Sequence, residues 1–304
     1  MKTLGQLKKL SISIILVLII GGGVVAAPIP PEVKSVVAFI YIEKDANLIP
    51  NGTGFFVGVK HQADPNVYSI YMVTAKHVIC KPNSSEFLDK AYLRLNKKRG
   101  GSEIGPVPII TEGEKKTVFM HSDPSVDIAV IPLLPDQAKF DFKFLPDDWI
   151  TTKKEFNEMK IREGSDVFFT GLFTPFPGAE QNYPVVRFGR VALVTEEKIP
   201  WQGKRMHLYL IEAGSYGGNS GAPVFFYLGS DREPGSLVLG SPVLKLAGVM
   251  QGSFLDAKEI KVVETKKVPI SLSSMGIAAV VPSYKLHEIL FGEELKGRRD
   301  LKSK

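Results

Sequence analysis

A serine set among glycines is the sharpest chemical feature of this sequence. Gly214-Ser215-Tyr216-Gly217-Gly218-Asn219-Ser220-Gly221-Ala222-Pro223 lies between two strand-like runs. Glycines take backbone angles closed to other residues, so a turn of this composition exposes the Ser220 hydroxyl and aims the amide N–H groups of Gly218 and Ser220 at one point. Two converging donors are what an anionic tetrahedral intermediate requires. A serine is a weak nucleophile at neutral pH, so the chemistry needs a neighbouring base, and imidazole has the suitable pKa. The candidate is His77, in Met72-Val73-Thr74-Ala75-Lys76-His77-Val78-Ile79, where a strand runs into a small-residue turn. The base in turn needs a carboxylate to fix its tautomer and steady the imidazolium. Asp127 opens the run Asp127-Ile128-Ala129-Val130-Ile131-Pro132-Leu133, an acid directly before a buried strand. Burying that carboxylate without a partner is costly, so its placement asks for one.

The elements that must hold these groups are short strands. Apolar, β-branched and aromatic clusters recur at 35–42, 54–59, 68–74, 91–95, 107–110 and 127–133, each bounded by turn residues. The rhythm breaks over about 135–163, which carries Pro135, Pro146 and the polar, helix-compatible run 151–160, and six more strand-like runs follow at 166–172, 185–194, 206–211, 222–227, 243–249 and 276–281. Two sets of six, with 28 Gly and 21 Pro as punctuation, predict an all-β fold of two antiparallel barrels or sandwiches rather than a βαβ sheet. The expected limits are about 33–135 for the first unit, 136–163 for the connection and 164–282 for the second. Pro282 and Ser283 can start a terminal helix over about 283–295, with Leu286, Ile289, Leu290 and Leu295 on one stripe, before a basic, solvated tail at 296–304.

Thr74-Ala75-Lys76-His77, Asp127-Ile128-Ala129-Val130 and Gly218-Asn219-Ser220-Gly221 resemble the three signature blocks of trypsin-like serine peptidases, in that family's order. Gly276-Ile277-Ala278-Ala279-Val280-Val281-Pro282 further resembles the closing strand of the bacterial high-temperature-requirement proteases. The resemblance spans roughly residues 33–292. It implies two six-stranded chymotrypsin-like barrels, an active site in the cleft between them, a protein or peptide substrate hydrolysed through an acyl-enzyme, and no metal or organic cofactor. It also implies a pocket for the side chain before the cut, lined near Gly214, Ser215 and Tyr216, Ala247, Gly248, Val249 and Met250, and Ala278. With no acid at Gly214, basic side chains are disfavoured, and the small and apolar lining suggests small or medium apolar ones. Asn219 stands where animal digestive members carry an aspartate, Ala222 replaces a glycine of the bacterial block, and the PDZ module of the bacterial relatives is missing.

Two other readings compete. Ser220, Asp256 and His287 have the order of an α/β-hydrolase, but that fold demands alternating helices and strands, and the run after Ser220 lacks them. A protease-like barrel that only binds a peptide or protein would be marked by a damaged triad or oxyanion loop, and neither is damaged.

The remaining features set the surroundings. Lys2, Lys8 and Lys9 precede an apolar run from Ile12 to Ile20 and small residues up to Ala27, so residues 1–27 read as a signal peptide or signal anchor that places everything after it outside the cytoplasm, secreted, periplasmic or membrane-anchored. Membrane contact is expected through this segment only. The net charge of +6 sits at the ends: residues 1–9 contribute +3 and residues 296–304 contribute +4, leaving −1 for the body and no nucleic-acid signature. Cys80, the single cysteine, reads as a small buried hydrophobe. His61, His121, His207 and His287 form no metal-ligand arrangement, and nothing indicates an oligomeric state. Asn51-Gly52-Thr53 and Asn83-Ser84-Ser85 match glycosylation triplets of a kind that arises often by chance.

Overall fold

Adjacent residues that are both fully buried, such as Phe39 with Ile40 and Phe55 with Phe56, show strands covered on two faces. The computed structural model describes residues 29–229, 242–259 and 270–302 apart from positions 63, 65 and 83; the expected targeting segment 1–27 and Asn83 lie outside them. After a short helix α1 (Glu32–Ser35), the first half contains β1 (Val37–Lys44), β2 (Asn47–Lys60), β3 (Tyr68–Thr74), β4 (Lys90–Asn96), β5 (Ser102–Pro108), β6 (Phe119–Met120), β7 (Ala129–Pro132) and β8 (Leu145–Pro146). Among the described residues these form one eight-stranded sheet in the order β5-β4-β1-β2-β3-β7-β6, with β8 paired in parallel to β2. The sheet curls around Ile40, Phe56, Met72, Leu93 and Ile131 as a barrel-like domain. Its count exceeds six because β6 and β8 are two-residue strands, too short to leave a period in the sequence.

The connection carries a helix, α2 (Lys153–Glu158), started by a capping box in which Thr152 and Glu155 satisfy each other's backbone N–H groups. The second half contains β9 (Asp166–Gly171), β10 (Val185–Leu193), β11 (Ile199–Trp201), β12 (Lys204–Met206), β13 (Tyr209–Glu212), β14 (Pro223–Leu228), β15 (Val243–Glu259) and β16 (Ile270–Pro282). Six of these close into a barrel in the order β10-β13-β16-β15-β14-β9, while β11 and β12 form a separate hairpin. Alternation assigns the faces: Val167 and Phe169, Val224 and Phe226, and Tyr209 and Ile211 fill the interior. Each fully buried Phe contributes about 1.5–3 kcal/mol by leaving water.

The two halves are tied by polar groups that need each other. Arg94 on β4 is buried and donates to Gly178 O at 2.7 Å and Ala179 O at 2.9 Å, while Asn182 Nδ2 returns a bond to Arg94 O at 2.7 Å. The loop between β9 and β10 is thereby fastened to the first domain. The last described elements are two helices, α3 (Ser283–Leu290) and α4 (Glu293–Lys302), with Gly292 between them. The basic residues past 295 thus begin on a helix, and Arg299 is buried with Nη1 donating to Tyr71 Oη at 3.1 Å.

Candidate active site

The register of β3 on β7 pairs Thr74 with Ala129. Because the strands run antiparallel, the residues after Thr74 face those before Ala129, which brings His77 to Asp127. A 3₁₀ turn at Lys76–Ile79 presents the imidazole to solvent, with its side chain 44% exposed, while the Asp127 side chain is only 6% exposed. His77 N–H donates to Asp127 Oδ1 at 3.0 Å, and Nδ1 lies 2.5 Å from Oδ2. One carboxylate therefore fixes both the backbone and the ring of the same histidine. Burial pushes the Asp127 carboxyl upward, yet the hydrogen bond and charge of His77, helped by Gln251 and the Lys76 charge, hold it below its ordinary value.

Ser220 sits in the turn between β13 and β14. Gly218 has φ +93° and Gly221 φ +84°, both in the left-handed region that favours glycine. A Cβ on Gly221 would lie 2.1 Å from Thr53 O and 2.4 Å from Thr74 Oγ1, so the turn is pressed directly onto β2 and β3. Asn219 is buried and staples the turn from inside: its Oδ1 accepts from Tyr216 N–H at 2.9 Å and its Nδ2 donates to Leu172 O at 2.8 Å. Among the described residues, neither the Gly218 nor the Ser220 N–H donates to a protein group.

The serine and the histidine meet through β15. Ser220 Oγ donates to Gln251 O at 3.0 Å, and Gln251 Nε2 lies 3.5 Å from His77 Nδ1. Among the described residues no hydrogen bond joins Ser220 Oγ to His77. Such looseness is common before a substrate is bound.

The expected pocket residues divide by position. Gly214 and Tyr216 are exposed on the loop leading into Ser220, and Ser215 beside them is buried, its carbonyl accepting from Ser253 Oγ at 2.8 Å. Ala247, Met250 and Ala278 face the interior of the second barrel, and Val249 is fully buried on β15. The Met250 and Gly248 backbones run along β14, with Gly221 N–H donating to Met250 O at 2.8 Å. Their main chain, more than their side chains, supports the turn.

Three residues here carried no mark in the sequence. Thr53 is fully buried, donates from Oγ1 to Gly218 O at 2.7 Å and from its N–H to Ser220 O at 2.9 Å, and accepts at Oγ1 from Leu172 N–H at 3.0 Å. It belongs to a glycosylation-like triplet whose Asn51 is used internally, with Nδ2 on Val78 O at 2.8 Å. Gln251 and Arg187 are the other two. Among the described residues no group of acidic, histidine and cysteine side chains could hold a metal ion, and no helix is long and apolar enough to cross a membrane. Asp256 lies on β15 and His287 on α3, in an architecture without alternating strands and helices.

Residues 52–230, more than half of the chain, match the family described as the trypsin-like peptidase domain. No curated protein matches the sequence. Similar solved structures include the MamO protease domain from Magnetospirillum magneticum in its apo form, 17% identical over 85% of this chain and 97% of that one, with a TM-score of 0.48. Catalytically active tobacco etch virus protease in complex with product is 12% identical over 88% of this chain and 82% of that one, with a TM-score of 0.43. An inactive form of Rv3671c from M. tuberculosis H37Rv is 17% identical over 88% and 95%, with a TM-score of 0.41.

Proposed function

This chain belongs to the family of trypsin-like peptidase domains, and from that premise we propose that it is an exported serine endopeptidase working through Ser220, His77 and Asp127. The observation that carries the reading is the paired contact of Asp127 with the backbone and ring of His77, at 3.0 and 2.5 Å, beside a glycine turn that presents Ser220. In the cycle, Ser220 Oγ attacks the peptide carbonyl while His77 Nε2 takes its proton. The Gly218 and Ser220 N–H groups hold the oxyanion, and His77 then passes the proton to the leaving amine. Water repeats the sequence on the acyl-enzyme. Loss of one oxyanion donor raises the barrier by about 2.7–4 kcal/mol. Within the family the strand Gly276–Pro282 supports kinship with the bacterial high-temperature-requirement proteases. Export is supported by Lys2, Lys8 and Lys9 ahead of the apolar run; fractionation of expressing cells, with the protein retained in the cytoplasm as the adverse outcome, tests that part.

A latent enzyme, or a barrel that binds peptides without cutting them, is the second reading. It has one observation on its side, the Ser220 hydroxyl donating to Gln251 O. Fluorophosphonate labelling of the full chain separates the two. Labelling at Ser220 that Ser220→Ala and His77→Ala both abolish supports the peptidase; a folded wild type that takes no label supports the second reading.

A further inference from the structure

We propose that Arg187 sets the substrate preference of this site, and that the side chain before the cut is acidic, glutamate or aspartate. The proposal rests on reading the chain as a serine peptidase and names its substrate class.

Position comes first. The loop carrying Gly214, Ser215 and Tyr216 and the strand β15 form two walls that begin at the Ser220 Oγ to Gln251 O bond and are joined again at the Ser253 Oγ to Ser215 O bond, 2.8 Å long. In this proposal the side chain before the cut enters beside Ser220 and extends between them toward Gly214. Arg187 reaches the same place from β10. Its neighbour at i+4, Val191, belongs to the interior of the second barrel, and strand alternation turns Arg187 to that same face. Between them Gly189 brings the chain up against Glu212 and Ala213, so Arg187 stands near the end of the barrel where the loop to Ser220 departs. Its Nη1 is 3.7 Å from the point a Cβ on Gly214 would occupy.

Chemistry comes second. The guanidinium lies over two aromatic rings, 4.6 Å from the Tyr216 centroid and 5.5 Å from that of Phe173. Among the described residues no carboxylate pairs with it, and its buried Nε has no acceptor. Three residues along the same strand, Arg190 has Asp166 at 3.0 Å. Beside Gly214, Ser215 is 3% exposed and its Oγ is also without a partner. An unpaired cation beside Gly214, next in sequence to a buried hydroxyl without a partner, is suited to receive an anion. Guanidinium is a rigid fork that matches a carboxylate with two parallel bonds, and the ring faces hold it in place. A lysine or arginine side chain would meet like charge there. Ala247, Met250 and Ala278, which suggested an apolar preference, turn their side chains into the barrel core.

The test uses the full chain and matched peptides that differ only at the residue before the cut: Glu, Gln, Leu and Lys. Wild type is expected to cleave the Glu peptide with kcat/KM roughly 100-fold above the Gln peptide. Arg187→Leu should erase that ratio while fluorophosphonate labelling of Ser220 persists, and Arg187→Lys, which keeps the charge but loses the fork, should retain a reduced ratio. Equal cleavage of Glu and Gln peptides by wild type overturns the proposal without any variant. So does a Glu preference that survives Arg187→Leu, or an equal acceleration of all four peptides by that variant, which would make Arg187 a plug. Peptide binding to Ser220→Ala keeps the two readings apart: a Glu-over-Gln binding preference that depends on Arg187 sustains the recognition site even if the wild type neither labels nor cleaves, and equal binding removes it.

Discussion

Thr53 Oγ1 donates to Gly218 O at 2.7 Å, from a side chain with no solvent exposure. A strand of the first domain therefore fixes the orientation of the Gly218–Asn219 peptide in the turn of the second, the peptide that directly follows the Gly218 N–H. The same oxygen accepts from Leu172 N–H, and the Thr53 backbone bonds Ser220 O. Thr53→Val keeps the shape but removes the hydroxyl, leaving a buried carbonyl and a buried N–H unpaired. The expected loss of stability is about 1–3 kcal/mol. The rate of Ser220 labelling should fall roughly 10- to 100-fold, because a small misplacement of a donor is enough to spoil the reacting geometry. Urea unfolding and labelling kinetics on the same preparation check both; unchanged labelling would mean that the turn holds itself.

Gly221 tests how tightly that turn is pressed on the first domain. An added methyl would meet Thr53 O at 2.1 Å and Thr74 Oγ1 at 2.4 Å, at a φ of +84° that side chains rarely adopt. Gly221→Ala should cost several kcal/mol, on the order of 3–5, and abolish labelling. Gly105 on β5 is the control, since a Cβ there meets nothing within 4 Å. Gly105→Ala is expected to change the unfolding free energy from urea titration by less than about 1 kcal/mol in either direction.

The segments that carry the candidate site stood out in the sequence because each combines a reactive side chain with a strong local signal. Asp127 precedes a β-branched run, His77 follows one, and Ser220 sits among glycines, of which Gly218 and Gly221 take positive φ angles that other residues rarely adopt. The strands were legible for the same reason, through alternation and turn residues, except β6, β8, β11 and β12, which at two or three residues are too short to show a period. Thr53, Gln251 and Arg187 left no local trace. Each acquires its role from the meeting of distant segments: β2 with the Ser220 turn, β15 with His77, and β10 with Gly214. A threonine in a strand is ordinary. What makes this one structural is a contact across 165 positions, and only the fold supplies it.

Cys80 follows His77 by one 3₁₀ turn and could be mistaken for a reactive thiol. It is 5% exposed, with Sγ donating to Lys76 O at 3.3 Å, and burial followed by the nearby Asp127 charge pushes its pKa up to about 11. The thiolate is the reactive form, so almost none exists at neutral pH. Iodoacetamide at pH 8 should leave the folded protein unmodified and alkylate it fully in denaturant. Cys80→Ala should retain peptidase activity within about twofold, at a stability cost of about 1–2 kcal/mol for the lost buried sulfur.

Asp127 makes stability depend on pH in a direction that can be worked out. Its carboxyl is held below its ordinary value of 3.8 in the folded protein, so the ionised form is favoured by folding. The resulting stabilisation is fully present above the unfolded value and is lost as pH falls through the folded one. Wild type should therefore exceed Asp127→Asn in stability at neutral pH, and the difference should shrink below about pH 4. Asn also presents the wrong hydrogen-bond pattern to His77 Nδ1, and kcat is expected to drop about 10⁴-fold. Gln251→Leu provides a graded version. It removes an amide that helps hold the Asp127 carboxyl low and leaves the contacts of His77 N–H and Nδ1 in place, so the acid loss of stability should begin at higher pH than in wild type. As a positioning residue, Gln251 should affect kcat by roughly 10-fold with KM little changed. A pH profile of stability identical to wild type would show that Gln251 only fills space.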